Sequence, residues 1–144
     1  MEHPEIKFHT ATLTIKKPKR MKTTDASFLI CNKESLLVWA GSLTQVLTGV
    51  QVDVPKGYVG LLTLNNHIAR NKKIAMINSP MIIDSASGQG IEFSLHLISI
   101  SSYERVSIPA DSPIAKLTIV PCNTCASHVT SNLDSDLGDG STHE

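Results

Sequence analysis

From Val50 to Leu62 the chain alternates apolar and polar residues, breaks, and resumes. Val50, Val52 and Val54 are separated by Gln51 and Asp53, then Pro55-Lys56-Gly57 interrupts, and Val59, Leu61 and Leu62 follow. Side chains two apart share one face of a strand, so this period predicts a half-buried strand, a turn and a second strand. The same pattern recurs along the chain. Ile6 and Phe8 alternate, as do Leu13 and Ile15, predicting one or two short strands before residue 15. Lys16–Lys22, with Pro18 inside it, reads as a loop. Short apolar runs at Phe28–Cys31, Leu36–Ala40, Val46–Val54, Gly60–Leu64, Ile74–Ile77 and Met81–Ile83 read as strands. Ser85–Gly90 reads as a Ser/Gly-rich turn, and Ile91, Phe93, Leu95 and Leu97 then alternate with Glu92, Ser94 and His96. Val106 and Ile108 stop at Pro109, and Ile114–Val120 stops at Pro121. Only Ile68–Lys72 has a helical character. Many short strands with frequent turn signals predict an all-β barrel or jelly-roll-like domain.

The core of such a domain must rest on Leu, Ile and Val, because only 4% of the 144 residues are aromatic while 41% are hydrophobic. Lys plus Arg and Asp plus Glu are 13 each, so no global field points to nucleic acid or a membrane surface. The charge is unevenly placed. Lys16, Lys17, Lys19, Arg20 and Lys22 crowd one segment, and Asp134, Asp136, Asp139 and Glu144 lie in a region with no Lys or Arg after Lys116. These ends are solvated, or they attract one another within or between subunits. Three cysteines do not suggest a disulfide framework. Cys122-Asn123-Thr124-Cys125 reads as two ordinary cysteines at a strand end, with a shared metal at a trimer axis as the minor alternative. The expected division is a β domain over residues 1–122 and a Ser/Asp/Gly-rich arm over 123–144. No run is long and apolar enough for a transmembrane helix or a signal peptide.

Four segments, in order, resemble the trimeric dUTPases. The Thr48–Gly60 strand and turn match that family's Thr-Gly strand and Pro-x-Gly-Tyr-x-Gly turn. Asn65-Asn66-His67 stand where the family has the Arg-Ser-Gly of its phosphate-binding segment. Asn78-Ser79-Pro80-Met81-Ile82-Ile83-Asp84-Ser85 is similar to its Asn-x-Pro-Gly-Val-Ile-Asp-Ser hairpin. Asp111-Ser112-Pro113-Ile114-Ala115-Lys116-Leu117 is similar to its Gly-Asp-Arg-Ile-Ala-Gln-Leu segment. The resemblance covers residues 18–121 and implies a dUTPase-like β domain with an extended C-terminal arm, assembled as a homotrimer. It places the general base at Asp84 and further substrate contacts at Asn65, Asn66, Asn78 and Lys116. It also marks departures. The platform aromatic is Ser87, the metal-positioning Asp of the first motif falls at Leu29, and the stacking Phe of the tail falls at Asp139.

Because Asn cannot reproduce the charged fork of an Arg on phosphate, these departures lead to the expectation of a non-catalytic structural protein. In that reading the trimer decorates a viral or phage capsid. No catalytic residue and no cofactor are expected, the major capsid protein is the partner, and the location is the virion or host cytoplasm. Lys16, Lys17, Lys19, Arg20, Asp134, Asp136 and Asp139 are then assembly contacts. Membrane and nucleic acid are not expected partners. The alternative is a divergent dUTP-hydrolysing enzyme with Asp84 as base and Mg²⁺ as cofactor. A second alternative is a regulatory protein-binding module.

Overall fold

A computed structural model describes residues 4–123 and 125–131. Ten strands and one short helix follow in the order β1 (Lys7–Thr10), β2 (Ser27–Cys31), β3 (Leu36–Trp39), β4 (Thr44–Val54), β5 (Tyr58–Leu64), α1 (Asn66–Lys72), β6 (Ile74–Met76), β7 (Met81–Ile83), β8 (Ala86–Leu97), β9 (Arg105–Ile108) and β10 (Pro113–Pro121). They form two four-stranded sheets, β1-β4-β8-β6 and β2-β10-β5-β7, and a two-stranded ribbon, β3-β9. Every named strand pair is antiparallel.

Alternation decides which face is buried. Val46, Val50, Val52 and Val54 of β4 and Ile91, Phe93, Leu95 and Leu97 of the neighbouring β8 enter one core with Leu62, Ile114 and Leu117. The ribbon contributes Val38 and Ile108 to that core and leaves Leu37 and Trp39 outside, where the Arg105 guanidinium stacks on the indole 4.9 Å from its centroid. Neighbouring side chains crowd Gly60 in the second sheet. A Cβ there would lie 3.2 Å from both Ile83 Cβ and Leu117 Cδ1.

Two sequence expectations are corrected. Leu13 and Ile15 do not form a second early strand. Leu13 is fully exposed, and Ile15 is buried as a plug against the backbone of Gly49. Between the Leu47–Glu92 and Gln51–Gly90 pairs, β4 has more residues than β8, so it bulges there. Gly49 takes φ +69° in this bulge, and the buried Thr48 hydroxyl secures it by donating to the Ile91 carbonyl at 2.6 Å. The Ser/Gly-rich stretch expected as a turn is instead the first part of β8. It pairs on the open edge of β4, with Ala86 opposite Val54 and Gln89 opposite Val52. Backbone pairing with an available edge overrides the turn composition of Ser87, Gly88 and Gly90.

Candidate functional site

Asp84 is exposed, immediately after Ile83 of β7 enters the core. The segment that follows, through Ser85 into the start of β8, is held at three points. Ser85 Oγ donates to the Val54 carbonyl at 3.2 Å, the Gly88 amide donates to Asp53 Oδ1 at 2.6 Å, and Gln89 Nε2 donates to the Asp84 carbonyl at 2.5 Å. Asp53 also meets His9 Nε2 at 2.9 Å through its other oxygen. Its carboxyl is held below the ordinary carboxylate range, first by the hydrogen bond with His9 and then by the Gly88 amide. One outward carboxylate on β4 therefore ties the N-terminal strand to the segment that follows Asp84. The sequence reading missed this pair. Its signal was modest: Asp53 sits on the polar phase of an otherwise valine-rich strand. Asn78 is exposed at φ +61°, ahead of the cis Ser79–Pro80 peptide.

The other expected contacts lie on the second sheet. Lys116 of β10 stands directly opposite Leu29 of β2 and Thr63 of β5, and all three side chains are half-buried on its outer face. Asn65 closes β5 and caps α1. Its Oδ1 accepts from the His67 amide at 3.3 Å and its Nδ2 donates to the Pro113 carbonyl at 2.6 Å, so its amide is engaged in the fold. Asn66 and His67 are exposed, and the His67 ring meets Asn71 Nδ2 at 3.1 Å.

Register fixes how far apart these two groups are. Ile83 pairs with Gly60, so Asp84 falls beside Val59, whereas Lys116 pairs with Thr63. Four residues along β5 amount to about 13 Å, and the two strand spacings between β7 and β10 to about 10 Å. A single chain therefore does not bring Asp84 and Lys116 together.

A hollow of about 230 Å³ on this outer face is lined by Met21, Asp25, Ala26, Ser27, Leu29 and Lys116. Asp25 is its only carboxylate, and its Oδ2 accepts from the Lys22 amide at 3.0 Å. Ser27 Oγ is spent on Thr118 Oγ1 at 2.8 Å. A Mg²⁺ ion needs hard oxygen ligands in near-octahedral array. One partly engaged carboxylate beside an ammonium group and an aliphatic side chain does not fit it. Among the described residues no group of three His, Cys, Asp or Glu side chains gathers as metal ligands. Cys122 and Cys125 are exposed and unbridged, just past the end of β10.

Of the basic segment, Lys16 Nζ reaches the Asp111 carbonyl at 3.5 Å, and the Arg20 guanidinium lies 4.6 Å over the Phe28 ring while also donating to the Thr23 carbonyl. Lys17 is exposed. Asp134, Asp136 and Asp139 lie outside the described residues. Among the described residues no helix is long and apolar enough to cross a membrane.

The chain has the dUTPase fold. A phage phi11 dUTPase of Staphylococcus aureus, described with a structural Mg(II) ion, superposes with a TM-score of 0.76 at 19% identity, over 90% of this chain and 99% of that one. The dUTPase of Staphylococcus bacteriophage 80alpha with dUPNHPP superposes with a TM-score of 0.76 at 20% identity, over 92% of each chain. The chain resembles the dUTPases in sequence as well as in fold. It is 29% identical over 104 residues to the deoxyuridine 5'-triphosphate nucleotidohydrolase of Tropheryma whipplei, covering 72% of this chain and 70% of that one. With the enzyme of the same name from Cutibacterium acnes it is 35% identical over 81 residues, 56% of this chain and about half (52%) of the relative. No family model matches the chain.

These relatives correct the expectation of a non-catalytic capsid-decorating protein. The curated sequences that match most of the chain are named as nucleotide hydrolases, and the matching folds are phage dUTPases. That expectation rested on the altered phosphate contacts, which stand apart from Asp84. Asp84 keeps its place and its exposure, and a changed grip on phosphate does not remove it.

Proposed function

We infer that this protein hydrolyses a nucleoside triphosphate of the dUTP class, releasing pyrophosphate. The observation that supports this is Asp84, an exposed carboxylate at the end of β7, followed by a segment that Ser85 and the β8 residues Gly88 and Gln89 tie down. Its sequence relatives carry the name of that activity. In this reading Asp84 accepts a proton from water as the water attacks the phosphate chain. Asn78, beside the same segment, contacts the base and sugar, and Asn66 and Lys116 contact phosphate from the other group. Asn65 supports them by holding the β5–α1 corner in place. No step is assigned to a metal, because the residues at the first-motif position do not fit one.

The separation of Asp84 from Lys116 within one chain calls for a neighbouring copy to complete the site. A homotrimer, in which one subunit supplies Asp84 and the next supplies Lys116, is the assembly that meets this need. Residues 1–122 form the catalytic domain in this reading.

The test is pyrophosphate release from dUTP by the purified chain and by Asp84→Asn. Turnover that falls at least about 1,000-fold in the variant supports Asp84 as the base. Turnover that persists in Asp84→Asn overturns that assignment, and a wild-type chain without release overturns the activity itself.

A further inference from the structure

We propose that the outer face of the β2-β10-β5 sheet grips a phosphate chain directly, through Lys19 and Lys116, with no divalent cation between protein and phosphate. The inference takes its ligand from the nucleotide reading above, but its geometry is independent of Asp84.

Cross-strand pairing carries it. Lys19 and Leu29 form a hydrogen-bonded antiparallel bridge, with the Leu29 amide donating to the Lys19 carbonyl at 2.8 Å and the Lys19 amide to the Leu29 carbonyl at 3.3 Å. Lys116 is opposite Leu29 on the other side. Directly opposed residues point to the same face of a sheet, so Lys19, Leu29 and Lys116 form one outward row with the leucine in the middle. Neighbouring strands lie ~4.8 Å apart, which puts the two lysine Cα atoms roughly 10 Å apart. Flexible four-carbon stems let both ammonium groups converge above Leu29 or spread along a polyphosphate.

The surrounding charges leave this pair available. Lys16 is turned to Asp111 and Arg20 to Phe28. Among the described residues neither Lys19 nor Lys116 is part of an ion pair. Asp25 is the one carboxylate lining the adjoining hollow, and the Lys22 amide engages one of its oxygens. A divalent cation placed over Leu29 would meet two positive groups and an aliphatic side chain. A phosphate placed there would meet two charge-assisted donors. In this chain, the role of a carboxylate holding a bridging cation has passed to ammonium groups that take the anion themselves.

The test is calorimetric titration of the full chain with inorganic tripolyphosphate, in EDTA and again in Mg²⁺, on wild type, Lys19→Met, Lys116→Met and Asp25→Asn. Methionine keeps the apolar stem, and matching circular dichroism spectra establish that the variants are folded. The expected result is binding in EDTA that weakens about 10-fold or more in each Lys→Met variant and survives in Asp25→Asn. Binding that appears only with Mg²⁺ and is lost in Asp25→Asn would overturn the proposal. Unchanged binding in both lysine variants, or no binding in either buffer, would overturn it too. The catalytic reading is judged separately. Metal-free binding without dUTP turnover leaves this inference and removes that one, and turnover with a strict Mg²⁺ requirement does the reverse.

Discussion

Replacing Asp53 by Asn keeps an oxygen that can accept from the Gly88 amide but removes the charge that meets His9. Because Asp53 is more acidic in the folded chain than an ordinary carboxyl, its ionised form favours folding. That contribution is fully present above the unfolded value of about 3.9 and is lost as pH falls through the lower folded value. Urea midpoints measured from pH 7 down to pH 2 are therefore expected to decline less steeply below about pH 4 in Asp53→Asn than in wild type; parallel curves would refute the coupling. Gly49 gives a second prediction at this scale. Its φ of +69° disfavours any side chain, and a Cβ would collide with the Ile15 plug. Gly49→Ala should cost about 1–3 kcal/mol in chemical denaturation. Asp84 was singled out in the sequence by the resemblance of residues 78–85 to the dUTPase hairpin, whereas the apolar run alone marked only the strand Met81–Ile83. Lys19 was legible only as one of several crowded lysines. Its distinction comes from pairing with Leu29, ten residues away, and no spacing rule in the chain announces that.

Between elements, the buried Asn32 holds two loops together. Its Nδ2 donates to the carbonyls of Glu34 and Pro109, and its Oδ1 accepts from the Ser112 amide, all within 3.0 Å. The loop after β2 and the turn before β10 are thereby fixed to each other, and this sets the start of the strand that carries Lys116. Asn32→Ala removes a partner from three backbone groups, of which the Pro109 carbonyl keeps the Ser112 hydroxyl at 2.6 Å. It should lower stability by about 2–3 kcal/mol, and crystallography or amide shifts should place the disturbance at Pro109–Ser112. Strands were readable wherever one face is buried, because β4, the later part of β8 and β10 each alternate against a common core. The start of β8 was not readable, since its residues carry turn composition and extend only because the β4 edge is free to pair. Ile15 misled for the opposite reason. It alternates with Leu13 as a strand would, yet its burial comes from filling the space above a glycine.

For the whole molecule, a site divided between subunits, as proposed above, would make assembly and activity one property. Light scattering across a dilution series should show trimers, and specific turnover should fall where they dissociate; activity retained by monomers would place Asp84 and the phosphate grip in one subunit after all. The core that such an assembly rests on converges on Leu117, which is fully buried and touches the space at Gly60. Leu117→Ala is expected to destabilise by about 2–5 kcal/mol. Leu117 belongs to β10, the last strand in the order, and β10 lies between β2 and β5 in the middle of its sheet. During synthesis, the earlier strands leave the ribosome with two open edges facing a gap that nothing yet fills. Until residues 113–121 emerge, the nascent chain exposes unpaired backbone to its neighbours. Translation pauses or premature stops before Pro113 should therefore yield aggregates instead of a smaller folded domain, a cost of making the final strand the keystone.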